Sequence, residues 1–261
     1  MQTGYNFFQR FIGTIRTMEV KKALHYYWNF VFLDYVKWRT SWDNWLSIKR
    51  FKSFRNKHHG ERCFIVGNGP SLNVTDLTIL RNEVTFGLNR IYLLFPQPNF
   101  KTNYYVSVNK LVIEQSAEDI NKIDIPKFLS WHARHSIKFN DNTYFVRDSY
   151  TGLDLDFSKD PSRRIWEGAT VTYVALQLAF YMGFQQVILI GVDHSFVSKG
   201  EPNKVIVSDG PDLNHFDSNY FGKDFAGSYL IWRLQKEHIA WQNLTLNKMV
   251  ARYLMLLLAG N

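Results

Sequence analysis

The chain has a single cysteine in its 261 residues, Cys63, set inside an apolar run. No disulfide can form within the chain, which fits a reducing compartment, and a thiol in such a run is a buried one rather than a nucleophile. Nowhere do 18 apolar residues follow one another, so no transmembrane helix is expected. Met1 to Arg16 has neither an apolar core nor a small-residue cleavage site, so no cleavable signal is expected. The chain has no G-x-S-x-G, no Walker lysine and no kinase signature. Its one glycine-rich loop does not have the G-x-G-x-x-G spacing, which speaks against a nicotinamide or flavin cofactor. His132 and His135 stand three apart with no cysteine or carboxylate joining them, which speaks against zinc. No metal site is expected.

Negative charge is scarce at one end only. Residues 1–60 hold 11 Lys/Arg against 3 Asp/Glu, whereas residues 61–261 hold 20 against 20. The net charge of +8 therefore belongs to the first sixty residues. These also carry Trp28, Trp38, Trp42 and Trp45, with Tyr26, Tyr27, Phe30, Phe32 and Tyr35 close by. Aromatics interleaved with lysine and arginine suit an interfacial helix on anionic lipid. The same residues also suit a helical hairpin packed on the main domain. No nucleic-acid motif accompanies the charge, so no nucleic-acid partner is expected. The division expected is a basic aromatic helical appendage over 1–60 and a charge-balanced main domain over 61–261.

From residue 62 short apolar runs alternate with helical patterns, the mark of an α/β domain with a mostly parallel, Rossmann-like sheet flanked by helices. Strands are predicted over 63–66, 84–88, 104–108, 127–131, 144–146 and 187–190. Helices are predicted over 72–80, from 110 to about 121, over 168–181 with Gly183 as its cap, and within 232–258. Residues 147–166 and 197–224 read as long polar loops.

The most informative segment is Gly67-Asn68-Gly69-Pro70-Ser71-Leu72. A strand feeds a glycine-flanked turn, and Pro70 suits the first position of a helical turn. Free amides beside a helix start are a place for phosphate, and an ordinary βα turn has the same composition. Asn68, Asn89, Asn109, Asp193 and His194 all follow predicted strands, where open α/β sheets place their ligands. His215 lies in a loop rich in Asn, Asp and aromatic residues and has the chemistry of a general base. Asp154 and Asp156 form a D-x-D able to hold a divalent ion through phosphates.

The order of Gly67–Leu72, Asn89, Gly168-Ala169-Thr170, Gly191-Val192-Asp193 and Asn214-His215-Phe216 resembles two related groups. One is the bacterial sialyltransferases of lipo-oligosaccharide and capsule synthesis; the other is the broader MptE-like 6-hydroxymethylpterin diphosphokinase family. The resemblance covers about residues 62–225. It implies a Rossmann-like sheet and nucleotide contacts from Gly67, Asn68, Gly69, Ser71, Asn89, Asn109, Gly168, Thr170 and Gly191. The sialyltransferase likeness implies that His215 deprotonates an acceptor hydroxyl, with inversion and loss of a nucleoside monophosphate and no metal. Tyrosines follow the G-I-D segment in those enzymes, whereas this chain reads Asp193-His194-Ser195-Phe196. Departure of the phosphate would then fall to His194, Tyr220, Arg163 or Arg164.

The expected function is transfer of a sugar from a nucleotide donor to a cell-surface glycan or lipid-linked acceptor, a sialic-acid-like sugar and a CMP-linked donor being candidates. The expected catalytic residues are His215, His194 and Asp193, and no cofactor is required. Two alternatives stand beside it. One is an ATP-dependent diphosphokinase, which brings in Mg²⁺ held by Asp193, Asp154 and Asp156. The other is a non-catalytic nucleotide-binding protein of polysaccharide assembly. The expected location is cytoplasmic, with the appendage on the inner face of an anionic membrane.

Overall fold

A computed structural model of the chain describes residues 20, 21, 25, 28, 32–97, 100–149, 157–168, 170–193, 205–207, 212, 214–218, 220, 221 and 226–228. The chain divides into two units, the boundary falling between Leu46 and Ser47. In the first unit α1 spans Leu33–Thr40, and α2, Trp42–Phe51, begins there and runs across the boundary. The two helices are separated by the extended backbone of Ser41 (φ −74°, ψ 136°). Asn44 Nδ2 donates to the carbonyl of Trp38 at 2.6 Å, which links them, and Trp38 is buried.

The second unit is built on a six-stranded sheet in the order β5-β4-β3-β2-β1-β8, every neighbouring pair parallel. Its strands are β1 Arg62–Val66, β2 Val84–Leu88, β3 Tyr104–Ser107, β4 Lys127–Ser130, β5 Thr143–Val146 and β8 Gln186–Ile190. Two short strands outside it, β6 Asp148–Ser149 and β7 Ile165–Trp166, pair parallel with each other. Strands β9 Val205–Val207 and β10 Ala226–Ser228 form an antiparallel pair. Among the described residues the further helices of this unit are α3 Lys110–Gln115, α4 Ala117–Lys122 and α5 Val171–Tyr181. The α/β, Rossmann-like architecture expected from the sequence is the one observed.

The strands read as apolar runs because a parallel sheet covered on both faces has no polar side to show. One face carries Cys63, Ile65, Phe86, Leu88, Tyr104, Val106, Phe128, Tyr144 and Val146 at period two. α5 lies in that core, buried from Thr172 through Tyr181. Phe51 and Phe54 close the same core, edge-on to Phe128 at 5.3 Å each. Residues 47–60, assigned above to the appendage, thus belong to the sheet's unit. Backbone bonds bind this segment to the end of α5: Asn56 N to Tyr181 O at 3.1 Å and His58 N to Met182 O at 2.9 Å.

Three local expectations change. Residues 70–80 form two 3₁₀ turns, Pro70–Val74 and Leu77–Leu80, rather than one α-helix. Thr75 and Asp76 between them are extended at ψ 126° and 99°, and Asp76 caps the second turn through Thr78 N. Trp131 starts a 3₁₀ turn instead of ending β4. Residues 147–166 and 197–224 are not wholly loops, since the first stretch holds β6 and β7 and the second holds β9. The helices expected within 232–258 lie outside the described residues.

The chain lays β1 to β5 outward in one direction and then returns to place β8 on the free edge of β1. The order therefore reverses between β1 and β8. The loops leaving those two strands are Gly67–Ser71 and Gly191–Asp193, and such a reversal is where open α/β sheets form their ligand crevice.

Candidate active site at the carboxyl edge of the sheet

The Gly67–Ser71 loop is held by the loop after β8. Gly67 N donates to Ile190 O and Gly69 N to Gly191 O, both at 2.8 Å. Ser71 gives its amide to Asp193 Oδ2 at 2.8 Å and its hydroxyl to Asp193 Oδ1 at 2.6 Å. A Cβ on Gly67 would stand 2.2 Å from Gly191 O, and one on Gly69 2.2 Å from Asp193 Oδ2. These glycines therefore permit the approach of two protein loops. The amides of Gly67, Gly69 and Ser71, expected to be open to phosphate, already have partners: carbonyls at the end of β8 and in its loop take the first two, and the Asp193 carboxylate at the start of the 3₁₀ turn takes the third.

Asn68 lies between these glycines. Its carbonyl accepts from Phe216 N at 3.0 Å, and its side-chain Oδ1 is buried without a hydrogen-bond partner among the described residues. This contact brings the segment around residue 215 to the loop after β1. The following contact brings it to the turn after β2: Arg90 donates a guanidinium N–H to Tyr220 O, and its amide approaches Tyr220 Oη at 3.4 Å. Tyr220 is buried, and that burial pushes its phenol well above the ordinary range.

His215 is fixed within this segment. Its Nδ1 lies 2.7 Å from Asp212 Oδ2, and its ring stacks on Tyr220 with centroids 3.8 Å apart and planes 2° from parallel. Burial pushes the Asp212 carboxyl up, but the hydrogen bond and charge of His215 outweigh it and hold Asp212 below its usual value. A carboxylate accepts only, so Asp212 selects the tautomer with hydrogen on Nδ1 and leaves Nε2 as the basic nitrogen.

A cavity of about 680 Å³ opens further along the same edge. Asn89, Asn109, His132, Asp148, Glu167 and Thr170 contribute to its lining, from the ends of β2 through β6 and the start of α5. Asn89 holds a positive φ of 46° and accepts from Ser107 Oγ at 3.1 Å. Asn109 caps α3 through Val112 N at 3.2 Å, and Thr170 caps α5 through Tyr173 N at 3.2 Å. Gly168 precedes that cap with φ 52°.

Asp148 is the buried acid of this cavity. It accepts from Ser130 Oγ at 2.7 Å, and His132 Nδ1 lies 3.2 Å from the same oxygen. Burial, and then the charge and hydrogen bond of Asp148, raise Glu167 to about 8, with His132 acting against them. Glu167 thus keeps its proton at neutral pH. Gln177 of α5 sets the spacing: its Oε1 accepts from Ser158 N at 3.0 Å and Trp166 N at 3.1 Å, and its Nε2 donates to Trp166 O at 2.7 Å and Tyr173 O at 3.0 Å. That peg pins β7 and so places Glu167.

The structure therefore places the sequence-derived residues in two groups. Asn68, Gly69, Ser71, Gly191, Asp193 and His215 gather about the β1–β8 reversal; Asn89, Asn109 and Thr170 line the cavity, with Gly168 leading into its wall. His194, Asp154 and Asp156 lie outside the described residues. Sequence reasoning missed Asp148, Glu167, Arg90 and Asp212, and weighed His132 only as a zinc ligand. Asp212 carried a readable signal, an acid three residues before the candidate base. Asp148 and Glu167 carried none, because a pairing of two-residue strands joins them.

No curated protein sequence and no solved structure matches the chain. A family model described as 6-hydroxymethylpterin diphosphokinase MptE-like matches residues 40–199, a span that takes in the whole six-stranded sheet. Of the two groups the motifs resemble, the match is to this one, and the chain belongs to the MptE-like family.

Proposed function

We propose that the chain is a nucleotide-dependent transferase in which His215, oriented by Asp212, takes the proton of an acceptor hydroxyl as a phosphate-linked group leaves the nucleotide. The observation that carries this reading is the 2.7 Å contact of Asp212 with His215 in a segment bonded to the loop after β1. An imidazole held by a carboxylate on one nitrogen is a base at the other. Both chemistries suggested by the motifs need such a base.

Pyrophosphoryl transfer from ATP to an alcohol is the form that the family match supports. The alcohol oxygen attacks the β-phosphorus of ATP, AMP departs with the bridging oxygen's electron pair, and the alcohol proton passes to His215 Nε2. This form implies Mg²⁺. Asp193 is engaged by Ser71, and no group of three or more His, Cys, Asp or Glu gathers to hold a metal among the described residues. Mg²⁺ bound with a nucleotide needs only one or two carboxylates beside the phosphates, and Asp148 and Glu167 fit that need. The ion, when bound, supplies charge neutralisation for the phosphates.

Glycosyl transfer is the second form, supported by the base, which serves a sugar acceptor equally well.

Phosphorus NMR of the full chain with an alcohol acceptor decides between them. AMP and a diphosphorylated alcohol from ATP with Mg²⁺ mark the first form; a nucleoside phosphate from a CMP-, UDP- or GDP-sugar marks the second. Nucleotide affinity without turnover on any of these donors leaves the non-catalytic reading. Undiminished turnover in His215→Ala would overturn the proposed base.

A further inference from the structure

The first unit exposes more aromatic surface than a water-facing helix pair needs. Trp28, Phe32, Tyr35, Trp42 and Trp45 are 59, 49, 47, 66 and 48% accessible. Positions 32, 35 and 36 follow the i, i+3, i+4 spacing of one helical stripe, and Val36 is exposed as well. The rings are ordered in pairs: Trp28 stacks on Phe32 at 4.9 Å and Trp42 on Trp45 at 5.0 Å. Lys21, Lys37 and Arg39 of the same unit are exposed beside them.

Charge selects the occupant. Residues 1–60 carry 11 basic against 3 acidic residues and the remainder balances. A second copy of the chain would bring the same positive field against itself. Among the described residues no helix is long and apolar enough to cross a membrane, so the stripe suits a surface rather than a span. Tryptophan and tyrosine favour the headgroup level of a bilayer, and lysine and arginine favour anionic lipid there.

We propose that the aromatic, basic face of residues 20–45 docks on an anionic bilayer surface. Trp28, Trp42 and Trp45 enter the headgroup layer while Lys37 and Arg39 meet lipid phosphates. This goes beyond the transferase reading and does not depend on it, because docking concerns the first unit alone.

Co-sedimentation of the full chain with vesicles tests it. Partition onto phosphatidylcholine vesicles containing phosphatidylglycerol should exceed that onto phosphatidylcholine alone by about 25-fold, since Lys37 and Arg39 at such a surface contribute about fivefold each. High salt should remove most of that excess. Replacing Trp28, Trp42 and Trp45 by alanine should lower partition by about tenfold or more, with circular dichroism confirming that the helices remain. Lys37→Gln with Arg39→Gln, both at exposed positions, should weaken binding while circular dichroism shows the helices kept. Equal partition onto both vesicles, or no loss in either variant, overturns the proposal. So does a concentration-dependent dimer that the tryptophan variant abolishes, or salt-sensitive RNA binding in a chain that ignores vesicles.

Discussion

Ser71 and Asp193 are joined twice, amide to Oδ2 at 2.8 Å and hydroxyl to Oδ1 at 2.6 Å. The pair ties the loop after β1 to the loop after β8 across the point where the strand order reverses. A carboxylate of the chain thereby takes the place that the sequence offers to a phosphate. Asp193 organises the loop by doing so, and a ligand at this edge meets a loop already set.

Asp193→Ala should cost about 1–3 kcal/mol, because the amide of Ser71 is left without its acceptor. Gly69→Ala should cost a similar amount, about 1–3 kcal/mol, since its methyl group overlaps the Asp193 carboxylate. The informative measurement is the double variant. Asp193→Ala removes the atoms that the new methyl group strikes, so the two losses should sum to more than the double variant shows in urea unfolding. Strict additivity would mean that the glycine is needed for some other reason.

Much of this framework was legible because buried parallel strands leave no polar face. Cys63–Val66, Val84–Leu88 and Val187–Ile190 stand out as short apolar runs, and Gly183, at φ 87°, marks the end of α5. The 3₁₀ turns after β1 were not legible, since Leu80 is buried together with Leu77 and Leu72, three and eight residues before it, spacings that also suit an α-helix. The candidate site was half visible. Asn89 and Asn109 were found because they follow strands directly. Asp148 and Glu167 meet only through the β6–β7 pairing, which rests on the hydrogen bonds of Gln177, a residue that inside a helical pattern reads as surface.

Gln177→Leu tests that support. The substitution keeps the approximate volume but strands the amide of Ser158 and both backbone groups of Trp166 in the interior. A loss of about 2–4 kcal/mol is expected, larger than for an ordinary buried amide, because several partners lose their bonds together. The loss should appear in denaturant unfolding, with hydrogen exchange of the Trp166 amide accelerated beyond the average. A change of less than about 1 kcal/mol would show that water or neighbouring groups replace the side chain.

Glu167 makes the stability of the second unit depend on pH in a definite direction. Its folded value is raised to about 8 by burial and the neighbouring Asp148. An unfolded chain would release the same proton at about 4. At lower pH both states hold it and nothing is lost. As pH rises between these limits the unfolded state binds fewer protons, so stability falls by up to about 1.4 kcal/mol per pH unit, and the loss is complete above about 8. Glu167→Gln removes this titration. In metal-free buffer the variant and the parent should match near pH 4, and the variant should be the more stable at pH 9. Parallel curves for the two proteins would show that Glu167 ionises normally.

The pair formed by Asp212 and His215 gives the sharpest functional test. Asp212→Asn preserves size but allows the amide to donate to Nδ1, which favours the tautomer with hydrogen on Nε2 and takes away the base. Turnover should fall by about 10²–10⁴, as for loss of a general base, while nucleotide affinity measured by calorimetry stays within about threefold. His215→Ala should fall by a similar factor, and the double variant hardly further, since the second change removes a partner with nothing left to orient. Losses that multiply in the double variant would place Asp212 and His215 in separate roles. An affinity loss matching the loss of turnover would make the segment a wall of the nucleotide site rather than its base.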